Sequence, residues 1–416
     1  MDLEYWQKVR GFSRNARLML VAVGFQGFAF WGLFASLFNL YLLRLGYGPP
    51  FVGLVLGCGG LAWALAGLPG GSLARRFGLR FPMVGGMALL AVGLTLSSLS
   101  GLVPPAGRRG WILTTYVLTN LGGGLSNVSI APALMAFSED EARDHLFSAR
   151  FTLLALAGFA GSLVGGWLPG RLAALSGTSL QDPAPYRQAL VVGSLLCYPA
   201  VWAMGAIREP ASTTATPTTR HARRQRPPYG VLLPLCMVTL LRILGEFGVR
   251  NFFNVYMDAG LDASTAQIGT WMGSAQLLAG VAALSAPLLA ARWGREPTLT
   301  GAALGAGLSI LPMALISHQG AAGLGFVSMT VLASIARTTI TVYGQRLVSV
   351  TWRPVLAGAV SMVAGLGSAL MSLAGGTVIA NLGYQAFFLA NAMAVIAGAA
   401  LFWGWFGNRA DGPDGR

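Results

Sequence analysis

Residues 208–228 read REPASTTATPTTRHARRQRPP, a stretch of Thr, Pro and Arg with no apolar face to bury. On either side the chain is apolar, and the position of this interruption decides the architecture. A helix needs about 20 apolar residues to cross the hydrocarbon core. By that ruler six spans precede it, at 18–44, 50–72, 82–102, 111–136, 150–171 and 187–207. Six follow, at 230–257, 265–290, 298–317, 321–345, 355–379 and 384–407. The expected organisation is a six-helix bundle over 1–207, a linker over 208–229 and a second six-helix bundle over 230–416.

Composition sets the same class. Hydrophobic residues make up 54% of 416 positions and charged residues 10%, with mean hydropathy +0.62. A soluble domain carries roughly a quarter charged residues, so this chain lacks the charge to coat a water-facing surface. The first span runs well beyond the apolar core of a signal peptide and is expected to remain as a helix. An all-α membrane protein of twelve spans follows.

The net charge of +14 would suit a nucleic-acid binder if it lay on one face. It lies instead in short segments between spans, which excludes nucleic acid as a partner. With the N-terminus inside, twenty basic residues fall in inner segments, five in outer segments and three within spans. That bias places both termini in the cytoplasm and the protein in the cytoplasmic (inner) membrane. Cys58, Cys197 and Cys236 lie within apolar segments, and His145, His221 and His318 in separate connections. Neither set has metal-ligand or disulfide spacing, and no metal or cofactor is expected.

The two halves repeat each other. A shift of 216 sets Gly53 on Gly269, Gly57 on Gly273, Arg76 on Arg292 and Gly78 on Gly294. One residue of slippage earlier, Phe38-Asn39-Leu40-Tyr41 falls on Phe253-Asn254-Val255-Tyr256. A shift of 210 sets Arg143 on Arg353 and Gly165-Gly166 on Gly375-Gly376. Collinear Arg, Gly, Asn and Tyr matches exceed what apolar composition produces by chance. Parallel repeats joined by an inner linker are a secondary-transporter layout, with a substrate site near the midplane.

Between the second and third spans lies Gly71-Ser72-Leu73-Ala74-Arg75-Arg76-Phe77-Gly78-Leu79-Arg80, with a degraded copy at Leu289 to Arg295. This loop resembles the signature G-x-L-x-D-R-x-G-R-R/K of the major facilitator superfamily. The resemblance, taken with the spans and the repeat, covers nearly the whole chain. It implies the major facilitator fold, alternating access, and a gating role for Gly71, Arg75, Arg76, Gly78 and Arg80. Arg75 stands where the family has an acid. In the fourth span Asn120 stands near the arginine of proton-coupled drug exporters. In the fifth, GFAGSLVGGWLPG only partly follows the exporters' glycine–proline motif.

Four charges within spans stand out: Arg242, Glu246 and Arg250 in the seventh and Arg337 in the tenth. Each costs about 2.5–3.5 kcal/mol at the bilayer centre on insertion scales. The family's architecture implies that spans 1, 4, 7 and 10 line the cavity. Two readings of these charges stand side by side. One is an internal ion ladder holding the seventh span in place. In the other, Glu246 takes up a coupling proton, and an arginine without a protein counter-ion binds a carboxylate or phosphate on the solute. The first half contributes neutral groups, namely Gln26, Trp31, Tyr116, Asn120 and Asn127, each a candidate for hydrogen bonding to solute or for helix packing. A separate inner segment, Ala131 to Arg150, with Glu139, Asp140, Glu141 and Asp144, reads as a short amphipathic helix or as a gating contact.

The expected function is secondary active transport of a small organic solute by a monomer surrounded by membrane lipid, with protons as the candidate coupling ion and a lean towards efflux. No G-x-x-x-x-G-K-[ST] loop supports a nucleotide-driven pump, and no nucleophile–base set supports an enzyme. Alternatives of the same fold are a lipid or lysolipid translocator and a non-transporting receptor, the latter expected to carry an added signalling domain.

Overall fold

The computed structural model describes residues 12–137, 140–208, 229–349 and 352–407, and every regular element among them is a helix. The linker after Arg208 lies outside the described residues, as do Glu139 and the side chains of Arg75, Asp140, Glu141, Asp144 and Arg353.

Twelve long helices result among the described residues. The first half holds α1 (Arg14–Arg44), α2 (Pro49–Phe77), α3 (Arg80–Leu102), α4 (Pro105–Phe137), α5 (Asp140–Ser176) and α6 (Pro183–Gly205). The second holds α7 (Tyr229–Gly260), α8 (Thr265–Trp293), α9 (Arg295–Leu315) and α10 (Gln319–Leu347). It closes with α11 (353–382) and α12 (384–406), one continuous helical run broken at Gly383 (φ 80°, ψ 173°). Only glycine adopts that backbone readily. Ten of these helical segments, the α11–α12 run taken as one, are long and apolar enough to cross a membrane. α4 falls short of that mark because Thr114, Thr115, Thr119, Asn120, Ser126 and Asn127 dilute it.

The signature segment corrects one expectation. Gly71 to Phe77 continue α2, and the turn proper is Gly78 (φ 81°) with Leu79. The helix continues through Gly70 and Gly71 and ends only at Gly78, whose positive φ glycine adopts readily. The acidic segment is likewise no separate helix: from Asp140 it is the first part of α5.

The chain forms two compact units. The first takes the chain up to Tyr47, then from Cys58 onward through α6, and also Ser264–Gly273 at the start of α8. The second takes Gly48–Gly57 at the start of α2 and the rest of the second half. Glycines make the close approaches inside each. A Cβ on Gly32 of α1 would lie 2.6 Å from the Gly158 carbonyl oxygen and 2.7 Å from Gly161 Cα of α5. One on Gly269 would lie 2.6 Å from Gly166 Cα. Without solvent to drive helices together, such backbone contact supplies the packing.

The repeat extends to individual contacts. Tyr41 OH donates to the Ser98 carbonyl (3.1 Å), and Tyr256 OH to the Met313 carbonyl (3.1 Å), so donor and acceptor are both displaced by 215 positions. Phe38 stacks on Tyr116 at 5.1 Å, and Phe253 on Phe326 at 3.9 Å. The one-residue slippage between repeats falls between Tyr256 and Thr265, an interval that opens with the π-helical turn Tyr256–Gly260. Such a turn accommodates an extra residue.

Candidate functional site

In the second unit, Arg242, Glu246 and Arg250 recur every four residues and so share one face of α7. Arg242 is 6% and Glu246 1% exposed. Arg242 Nη1 donates to Glu246 Oε1 at 2.5 Å. Glu246 Oε2, Arg242 Nε and Arg250 Nε have no hydrogen-bond partner among the described residues. On an isolated helix the order acid-then-base favours Glu246 with Arg250. Here Glu246 pairs with Arg242 instead, and the Asn391 side chain of α12 presses on Gly248, on the turn between Glu246 and Arg250. Asn391 donates to the Phe387 carbonyl (2.6 Å), and its Oδ1 is also without a partner among the described residues.

Arg337 of α10 is exposed, yet it lies within electrostatic reach of Glu246, Arg242 and Arg250. Three guanidinium groups around one carboxylate leave two positive charges unbalanced within the cluster. A buried Arg–Glu pair is weak evidence for stability, because desolvation offsets most of its Coulomb gain.

In the first unit the corresponding surface is aromatic. α1 runs through a π-helical turn at Gly27–Phe34, and Phe30, Phe34 and Phe38 stack in series (6.3 and 4.6 Å between centroids). Trp63 of α2 stacks on Phe30 at 6.2 Å and meets Trp31 edge-on at 5.9 Å. Tyr116 of α4 closes the series against Phe34 and Phe38. Trp31 is 43% exposed at one end of this wall. Asn120 is buried and donates to the Tyr116 carbonyl at 2.8 Å, which places an amide beside the rings. Gln26 is buried and Asn127 exposed. Trp63 and the phenylalanines were not among the residues expected from sequence. The four-residue spacing of Phe30, Phe34 and Phe38 was the available signal.

The signature residues make local contacts. Arg80 donates to the Gly205 carbonyl, at the C-terminal end of α6 where a positive charge is favoured. Arg76 lies over the Phe77 ring at 5.1 Å. Among the described residues no group of His, Cys, Asp and Glu could hold a metal ion.

Comparison with known proteins places these features. The family model described as Major Facilitator Superfamily matches residues 19–370. Relatives described as multidrug resistance protein MdtH include one from Aeromonas hydrophila, 33% identical over 127 residues and covering 30% of each chain. Another, from Proteus mirabilis, is 29% identical over 151 residues, 36% of this chain and 35% of the relative. The chain thus matches about a third of the length of these relatives. Among solved structures, a D-xylose–proton symporter superposes with TM-score 0.76 at 15% identity, covering 94% of this chain and 96% of its own. A mutant of the nucleoside transporter NupG gives 0.72 at 16%, covering 94% and 100%. At these identities the two structures share the fold.

Proposed function

From the premise that the chain belongs to the major facilitator superfamily, as a multi-pass membrane transporter and not an enzyme, we propose that it moves an aromatic organic solute by alternating access, coupled to protons at Glu246. The observation that carries this reading is the state of Glu246: nearly inaccessible, held through one oxygen by Arg242, with the other oxygen unpartnered among the described residues. A carboxylate so placed can exchange a proton when its arginine is drawn away. The aromatic wall of the first unit supplies a stacking surface for the solute.

Electrostatics ties the charge of the solute to the direction of transport. An anion that draws Arg242 away leaves Glu246 free to take a proton, so anion and proton travel together. A cationic group competes with the proton at Glu246, which export against an inward proton gradient requires. The excess of arginine favours an anionic group, and the naming of the relatives as multidrug resistance proteins favours export. A solute carrying both signs sets its anion on the arginines and its cation on Glu246 in place of the proton, which gives exchange rather than joint movement. The twenty-to-five distribution of basic residues supports the cytoplasmic membrane, with both termini inside.

Proteoliposomes with an imposed pH gradient test this with three fluorophores: zwitterionic rhodamine B, cationic ethidium and anionic carboxyfluorescein. Gradient-driven movement of rhodamine B is expected to exceed that of the other two and to be lost in Glu246→Gln. Unchanged gradient-driven transport in that variant would remove Glu246 from the mechanism. Movement of labelled phospholipid with none of the dyes would favour a lipid translocator.

A further inference from the structure

α9 (Arg295–Leu315) takes no part in the charged face just described, yet one of its side chains lines a void with the same arginine. Thr300 is buried, and its Oγ1 has no partner among the described residues. Several other threonines in this half bond back along their own helix, Thr330 excepted. Thr298 donates to the Gly294 carbonyl (2.6 Å), Thr338 to Ser334 (3.0 Å) and Thr339 to Ile335 (2.9 Å). Thr300 does not. Arg242 Nε, on the guanidinium edge away from the Nη1 that holds Glu246, is likewise buried and unpartnered among the described residues. Thr300 and Arg242 line one small void, walled otherwise by apolar residues including Val238, Leu299, Ile340 and Phe402. It offers ≈ 10 Å³ to the centre of a water molecule, about the minimum that one buried water needs.

Two orphaned buried polar groups on residues that line one void of that size suggest a water site, since a buried donor or acceptor left unmade is costly. We propose that one water in this void accepts from Arg242 Nε–H and donates to Thr300 Oγ1, making Thr300 the positioning residue that aims Arg242 at Glu246. A guanidinium is planar with donors fixed in a fork, so engaging both edges stops it turning. Arg242 then releases Glu246 only by giving up the water as well, and α9 becomes part of the coupling machinery. That last consequence rests on the coupling role proposed above; the water site does not.

The test is a double-mutant cycle in thermal unfolding of the purified protein, using Thr300→Val, Thr300→Ser and Arg242→Lys. Lysine keeps a charge for Glu246 but has no Nε–H at that edge. Thr300→Val is expected to lower Tm in the native background and to change little beside Arg242→Lys, with Thr300→Ser close to the parent. Equal losses in both backgrounds, or no loss in either, would overturn the water site. For the positioning role, rhodamine B is followed in two modes, driven by a pH gradient and as counterflow without one. Thr300→Val should cut the first severalfold and spare the second, and Thr300→Ser should restore it. Equal loss of both modes would make Thr300 merely structural. If Glu246→Gln keeps gradient-driven transport, the coupling reading falls while the unfolding cycle still decides the water site.

Discussion

α1 and α7 are the same helix written twice, and they differ where it matters. Both end in a Phe-Asn-x-Tyr stretch, both stack its phenylalanine on the equivalent position of the fourth helix of their repeat, and both tie its tyrosine to the third. One shift places Trp31 on Glu246. Below the shared stretch α1 carries rings and α7 carries charges. Duplication preserved the contacts that hold each bundle together and released other positions to diverge. The chemistry is therefore to be sought at positions where the repeat fails.

The largest effect should come from breaking the charged side. Arg242→Ala leaves Glu246 buried and uncompensated, a loss of about 3–5 kcal/mol where one partner of a buried pair is removed. Replacing both, as Arg242→Leu with Glu246→Leu, should recover most of that stability while transport stays dead. Chemical or thermal unfolding of the two variants checks this, and a double variant no more stable than the single would make the pair structural.

On the aromatic side the expected effect is smaller and falls on affinity. Trp31→Ala should weaken rhodamine B binding by about 1–2 kcal/mol, in the range of one aromatic contact with its buried area, with a smaller loss of thermal stability from its contacts with Phe30 and Trp63. Fluorescence titration reads it. Met393→Ala, at a residue of α12 that is 69% exposed, serves as the control and should leave binding unchanged. A matching loss in that control would detach the effect from the aromatic wall.

The smallest effects should fall on the shared stretch. Tyr41→Phe and Tyr256→Phe each remove one hydroxyl bond to a backbone carbonyl, worth about 1 kcal/mol. Tyr41 OH also accepts from Gly101 N (2.7 Å), so its loss should be the greater of the two. Equal losses in thermal unfolding would mean that the second bond is idle.

Much of this was readable from sequence. The twelve spans follow from run length, and Gly78 and Gly383 mark turns that only their backbone freedom permits. The charged face of α7 follows from four-residue spacing. Which arginine takes Glu246 does not, because the isolated-helix preference points to Arg250 while the bond forms with Arg242. Trp63 was silent because an aromatic residue in an apolar span looks the same whether it faces lipid or a wall of rings. Thr300 was silent for a different reason: an orphaned hydroxyl is defined by partners that fail to arrive, and only coordinates show that.

α4 carries a consequence for how the protein is made. Its polar residues leave it less apolar than its neighbours, and two hydrogen bonds tie its first part to α3. Thr115 and Thr119 bond within α4, Ser97 donates to Thr115 Oγ1 (3.1 Å), and Trp111 Nε1 donates to the Leu96 carbonyl (2.8 Å). Emerging alone from the ribosome, such a segment has little reason to leave water for lipid. Emerging behind α3, which ends in the 3₁₀ turn Leu99–Leu102 and is joined to it through Val103 and Pro104, it can enter as the second leg of a hairpin.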